Sequence, residues 1–169
     1  MNAAERRKLL LENMDQLERQ GIDCRACMGT CCTSRCNSML ITELEAQDIG
    51  QYLQSQNLWS EEMQTRLKNC VSEFRLDVEI PQHGNRRNLR RSYTCPFYNA
   101  GPRGCILPRE VKPYGCLGFN PIVTAATGLE SGCRSDQDLL LQQELLSTQP
   151  LAMDKQPIPV AVLAIATTF

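Results

Sequence analysis

A chain of 169 residues suits one domain with a modest core. Its formal net charge of −1 gives no overall pull toward nucleic acid or an anionic membrane. Ten cysteines are a heavy load, and two uses compete for them: disulfide staples in a secreted domain, or thiolate ligands and redox groups in a reducing compartment.

The first segment favours the second use. Met1–Gln20 is charged throughout and lacks the apolar run and small-residue cleavage site of a secretory signal. No stretch has the roughly 18 apolar residues of a membrane span. A cytoplasmic protein without membrane or nucleic-acid partners is expected, with a disulfide framework as the second reading. The same segment predicts a helix over Asn2–Gln20, with Leu10, Met14 and Leu17 on one face and Gly21 as its stop.

The helix leads into Cys24-Arg-Ala-Cys27-Met-Gly-Thr-Cys31-Cys32-Thr-Ser-Arg-Cys36, five cysteines in thirteen residues. The C-x2-C pair Cys24/Cys27 lets two sulfurs turn toward one ion, and Gly29 relaxes the backbone where the loop folds back. Cys31 and Cys32 are adjacent, so their side chains are expected to point apart. Met39-Leu40-Ile41 is a short strand candidate. Thr42 with Glu45 forms a capping box that starts a helix running to about Gln56, with Ala46, Ile49, Tyr52 and Leu53 inward. Ser60 caps the next helix, to about Leu76, whose stripe is Met63, Leu67, Cys70, Val71 and Phe74. On that stripe Cys70 reads as a small buried hydrophobe.

Asp77–Asn88 reads as a loop carrying the single histidine, His83. Arg86, Arg87, Arg90 and Arg91 form either a solvated basic edge or an offset to nearby thiolate charge, with an acidic or phosphate partner as a third use. Gly101-Pro102-Arg103-Gly104 is a turn between two short strands, the return strand being Cys105-Ile106-Leu107. Pro108 opens a short helix over Arg109–Tyr114, which Gly115 ends, presenting Cys116. Cys133 stands alone in a loop. Asp136–Gln149 predicts a leucine-rich helix that is broadly buried or meets a protein partner. Val160–Phe169 reads as an apolar strand that docks on the core or on another subunit. The expected organisation is a cysteine-cluster domain over 1–150 and an apolar tail over 151–169.

Thiolates bind zinc and iron, and a site takes about four of them. Neither cysteine set is a complete knuckle, so the plausible arrangement draws on both Cys24–Cys36 and the later Cys95, Cys105 and Cys116. The expected fold class is α+β: a mainly helical single domain with short strands around a cysteine-ligated metal centre.

The run Cys24-x2-Cys27-x3-Cys31-Cys32, then Cys95-Pro96-Phe97, Cys105-Ile106-Leu107-Pro108 and Lys112-Pro113-Tyr114-Gly115-Cys116-Leu117-Gly118-Phe119, resembles the cysteine-cluster family named for its CxxCxxCC motif. That family is described as a zinc- or iron-chelating domain. The resemblance covers about Gly21–Pro121 and implies chelation by Cys24, Cys27, Cys31, Cys32, Cys95, Cys105 and Cys116. Two positions depart from it. The family's Arg-Pro before its last cysteine is Lys112-Pro113, and its Ile-Tyr after the sixth is Ile106-Leu107.

The first functional reading is a module that binds zinc or iron, including an iron–sulfur cluster. An enzyme of redox or methyl-transfer type is the alternative, with Cys32 or Cys36 as the reactive thiol. A structural interaction protein using Asp136–Gln149 is the third. The module leads because no general base, nucleophile constellation or phosphate loop is visible.

Overall fold

The structure, a computed structural model, describes residues 3–20, 29, 31–78, 91–100, 104–117 and 155–166. Among the described residues, five helices and four two-residue strands make a mainly helical α+β domain. In chain order they are α1 (Ala3–Arg19), β1 (Leu40–Ile41), α2 (Glu43–Ser55), α3 (Glu61–Phe74), β2 (Tyr98–Asn99), β3 (Gly104–Cys105), α4 (Tyr114–Leu117), β4 (Gln156–Pro157) and α5 (Ile158–Ala166).

Two caps start the central helix pair where the sequence places them. The Thr42 hydroxyl accepts from the Glu45 N–H at 3.2 Å, and the Glu45 carboxylate accepts from the Thr42 N–H at 2.8 Å. Ser60 accepts from the Met63 N–H at 3.2 Å. At its far end α3 stops on Arg75, which takes the left-handed conformation with φ 51°. The N–H groups of Arg75 and Leu76 then bond back to Ser72 and Val71, satisfying the last carbonyls of the helix.

The faces of α2 and α3 that the pattern marks as apolar do turn inward. Ala46, Ile49 and Leu53 are buried on the first, and Met63, Leu67 and Cys70 on the second. What covers them is α5, which lies against both helices. Ile158, Pro159, Ala161, Val162 and Ile165 are its buried residues. The expected strand over Val160–Phe169 is thus a helix in its described part. A short run apolar on every side carries no periodicity to separate strand from buried helix, and Pro159 near its start is compatible with the first helical turn. Just before it, β4 pairs antiparallel with β1, Leu40 opposite Pro157 and Ile41 opposite Gln156. Ile158, Ala161, Val162 and Ile165, within the expected apolar tail, belong to the central core.

Tyr93 stitches this core to its surroundings. Fully buried, its hydroxyl donates to the Met39 carbonyl at 2.6 Å and accepts from the Ile158 N–H at 3.0 Å. A second, smaller cluster joins Leu10 of α1 to Tyr114 and Leu117 of α4, with Leu11 and Met14 beside them. Arg7 donates to the carbonyls of Glu110 and Lys112, and Arg109 pairs with Asp15 and Glu18, so α1 is clamped to the segment leading to Cys116.

That segment differs from its expected form. Residues 109–111 make a single turn closed by the Val111 and Lys112 N–H groups on the Pro108 carbonyl, not a helix. Pro113, which has no N–H, resets the chain, and α4 begins after it with Cys116 inside it. The predicted hairpin is present: β2 and β3 pair antiparallel with Tyr98 opposite Cys105. Among the described residues no helix is long and apolar enough to cross a membrane. The expected helix Asp136–Gln149, the bulk of the loop Asp77–Asn88 with His83, and Cys133 lie outside the described residues.

Candidate metal centre

The cysteine loop is shaped by a tight turn at Gly29. Its φ is +74°, and its carbonyl accepts from the N–H groups of both Cys32 and Thr33 at 2.9 and 3.0 Å. The Tyr98 ring lies directly on it: a Cβ added there would sit 2.2 Å from Cζ. Glycine is required here twice over, for its conformation and for its lack of a side chain. Cys36 and Asn37 continue the turn by donating to the Thr33 carbonyl.

This turn runs beside the segment that carries the later cysteines. Cys95 N–H donates to the Cys32 carbonyl at 2.6 Å, and Ser34 N–H to the Thr94 hydroxyl at 3.1 Å. Asn37 and Tyr93 exchange hydrogen bonds, Tyr93 N–H to the Asn37 carbonyl and the Asn37 side-chain amide to the Tyr93 carbonyl, each 2.9 Å. From α3, the Cys70 thiol donates to the Thr94 carbonyl at 3.3 Å. Arg66 reaches across from the same helix to Asn99 Oδ1 and the Tyr98 carbonyl. Pro96-Phe97 then turns the chain, and the hairpin returns Cys105 opposite Tyr98. Glu45, already in its capping box, uses its other oxygen to accept from the Tyr114 N–H at 2.8 Å, which fixes the start of the helix bearing Cys116.

Five of the seven candidate ligand cysteines therefore come within electrostatic reach of one another. Burial is the first cause that raises Cys116, followed by repulsion from Cys95, Cys105 and Cys31. Cys95 is pushed up to about 12, by burial first and then by Cys105. Cys31 and Cys32 behave as a pair, their sulfurs 4.0 Å apart and hydrogen-bonded. The bond holds Cys31 down at about 7 and drives Cys32 up; burial and the charges of Cys31, Cys95 and Cys105 raise Cys32 further. The expectation that these adjacent side chains point apart is corrected. Hydrogen bonds to the Cys32 N–H and carbonyl fix the backbone in a turn that brings both sulfurs to one side.

One contributor escaped the sequence reading. Lys112 is buried, 6% exposed, and its ammonium lowers both Cys31 and Cys116. Arg66 acts similarly on Cys95 and Cys70. The expected offset came instead from the arginine run, of which Arg86, Arg87 and Arg90 lie outside the described residues. The signal for Lys112 was its place in the motif, four residues before Cys116.

Cys24 and Cys27 lie outside the described residues. Among the described residues no group of three or more His, Cys, Asp or Glu side chains is arranged to hold a metal ion. Their cysteines are thiols, Cys36 half-buried in the turn and Cys70 buried in the core. The chain matches no family model, no curated protein and no solved structure.

Proposed function

We propose that the protein is a metal-binding module whose cysteines chelate zinc or iron, the latter as single ions or as an iron–sulfur cluster. The observation that carries this reading is the hydrogen bond from Cys95 N–H to the Cys32 carbonyl, 2.6 Å long, which lays the two cysteine-bearing segments side by side. The donor chemistry fits a thiophilic cation. Cys32, Cys95 and Cys116 are raised, beyond the effect of burial, by repulsion from neighbouring cysteines of the set, which a bound cation would reverse, and among the described residues no carboxylate is among the charges acting on them. Two sulfurs on a tetrahedral zinc at about 2.3 Å stand about 3.8 Å apart, close to the 4.0 Å between Cys31 and Cys32.

In this reading the ligands come from Cys24, Cys27, Cys31, Cys32, Cys95, Cys105 and Cys116, the set that the resemblance to the CxxCxxCC family implies. Lys112 and Arg66 reduce the charge of the thiolates, and Glu45 holds the backbone ahead of Cys116. A bound metal would close the long connection between the two segments and add its binding energy to folding. A reducing cytoplasm would keep the thiols available as ligands.

The test is anaerobic loading of the full, reduced chain with zinc and, separately, with iron and sulfide. Stoichiometric metal, a melting temperature that falls on chelation, and loss of metal in Cys95→Ser and Cys116→Ser support the reading. A sulfur-to-iron absorption band identifies iron, and a colourless protein with tightly held zinc identifies zinc. Chelated, reduced protein that keeps its melting temperature and retains no metal overturns it.

A further inference from the structure

We propose that Cys31 and Cys32 form an oxidisable dithiol, a site at which hydrogen peroxide converts two neighbouring thiols into a disulfide. The geometry is the ground for this. Their sulfurs already touch through a hydrogen bond at 4.0 Å, and both residues are half-buried, so a small oxidant can reach them. Cys95 and Cys70, by contrast, are enclosed in the core. The backbone on either side of Cys32 is fixed by its N–H on Gly29 and its carbonyl on Cys95, which holds the two sulfurs on one side of the turn.

The reaction balances with the peroxide as the only co-reactant. A Cys31 sulfur attacks one peroxide oxygen, the O–O bond breaks, and water leaves with the departing oxygen and the thiol proton. Cys31 is then a sulfenic acid. The Cys32 sulfur attacks the Cys31 sulfur, the S–S bond forms, the S–O bond breaks, and a second water carries off the Cys32 proton. Two thiols lose two electrons and two protons, and one peroxide becomes two waters. Both sulfurs are half-buried and in contact, and the Cys32→Ser variant tests whether Cys31 attacks first.

Adjacent Cα atoms stand about 3.8 Å apart across a trans peptide, closer than the roughly 4.4–6.8 Å that a disulfide prefers. The bond so formed is therefore readily reduced, and the pair behaves as a switch and not as a staple. This inference is independent of metal binding, since it is read on the metal-free chain.

The experiment treats the full, reduced, metal-free chain with one equivalent of hydrogen peroxide, then maps disulfides by fragmentation mass spectrometry. Expected is the loss of two reactive thiols from the ten, a Cys31–Cys32 bond, and full recovery with dithiothreitol. In Cys32→Ser the product should be a sulfenic acid at Cys31, trapped by dimedone, while Cys36→Ser should react as the parent does. Unchanged circular dichroism verifies that the variants fold. A disulfide joining either residue to a different cysteine overturns the proposal. So does loss of two thiols that persists in Cys31→Ser, or both thiols left intact while other cysteines oxidise.

Discussion

Gly29 has no room for a methyl group. Its positive φ already disfavours any side chain, and the Tyr98 ring occupies the space where a Cβ would go. Gly29→Ala should lower stability by about 1–3 kcal/mol, read as a drop in the thermal midpoint. The cost should shrink in a Tyr98→Ala background, which leaves only the backbone strain; an equal cost in both backgrounds would mean the ring is not what excludes the methyl group. Tyr93 makes the complementary case, a side chain whose polar end matters. Tyr93→Phe keeps the ring but removes the hydroxyl that bonds the Met39 carbonyl and the Ile158 N–H inside the core, and should cost about 1–3 kcal/mol by urea titration. Gly29 was legible as a flexible point in a cysteine loop. The ring above it was not, because a contact between residues 29 and 98 leaves no trace in local spacing. The orientation of Cys31 and Cys32 was misread for the same reason. Adjacency in an extended chain separates side chains, but this chain is held in a turn by bonds to Gly29 and Cys95.

Glu45 ties two helices together with one carboxylate. One oxygen closes the capping box of α2 and the other receives the Tyr114 N–H at the start of α4. Glu45→Ala should cost about 1–3 kcal/mol, the sum of a lost cap and a lost hydrogen bond to the Tyr114 N–H. Glu45→Gln should cost less, since its amide oxygen can still serve one of the two donors. Equal melting of the two variants would show that the second contact contributes nothing. The capping box itself was plain in the sequence, as was the Ser60 cap, because both signals are local and chemically specific. Its second use was hidden, 69 residues away. The short helix after Pro108 was misplaced because two prolines, Pro108 and Pro113, could each open it. Arg7 and the α1 clamp settle the chain around the later one. The strand expected near the C-terminal end failed for lack of periodicity, and burial between α2 and α3 decides in favour of a helix there.

Across the whole molecule, the buried thiols tie stability to alkaline pH. Cys70 is raised from an ordinary 9.0 to about 11, chiefly by burial, and Cys95 to about 12. Below pH 9 both are neutral in either state and have no effect. Between 9 and those higher values the unfolded chain has released protons that the folded chain still holds, so metal-free protein loses stability as pH rises. Urea midpoints taken at intervals upward from pH 8 should fall, and the fall between 9 and 11 should be shallower in Cys70→Ala. A curve that Cys70→Ala leaves unaltered would mean that this thiol does not ionise differently in the two states. The general architecture, helices with a few short strands, followed from caps and stripes. The meeting of Cys31 and Cys32 with Cys95, Cys105 and Cys116 was expected from the need for about four thiolates, since neither set suffices alone, and from the resemblance to the CxxCxxCC family, not from any local pattern.

The position of α5 also sets an order of events during synthesis. Helices α2 and α3 leave the ribosome early, yet the element that covers their apolar stripes is encoded some eighty residues after α3 begins to wait for it, a rough count from the element bounds. Throughout that interval the nascent chain presents a sticky surface together with several reduced thiols. That surface is covered by this helix only once residues 158–166 arrive.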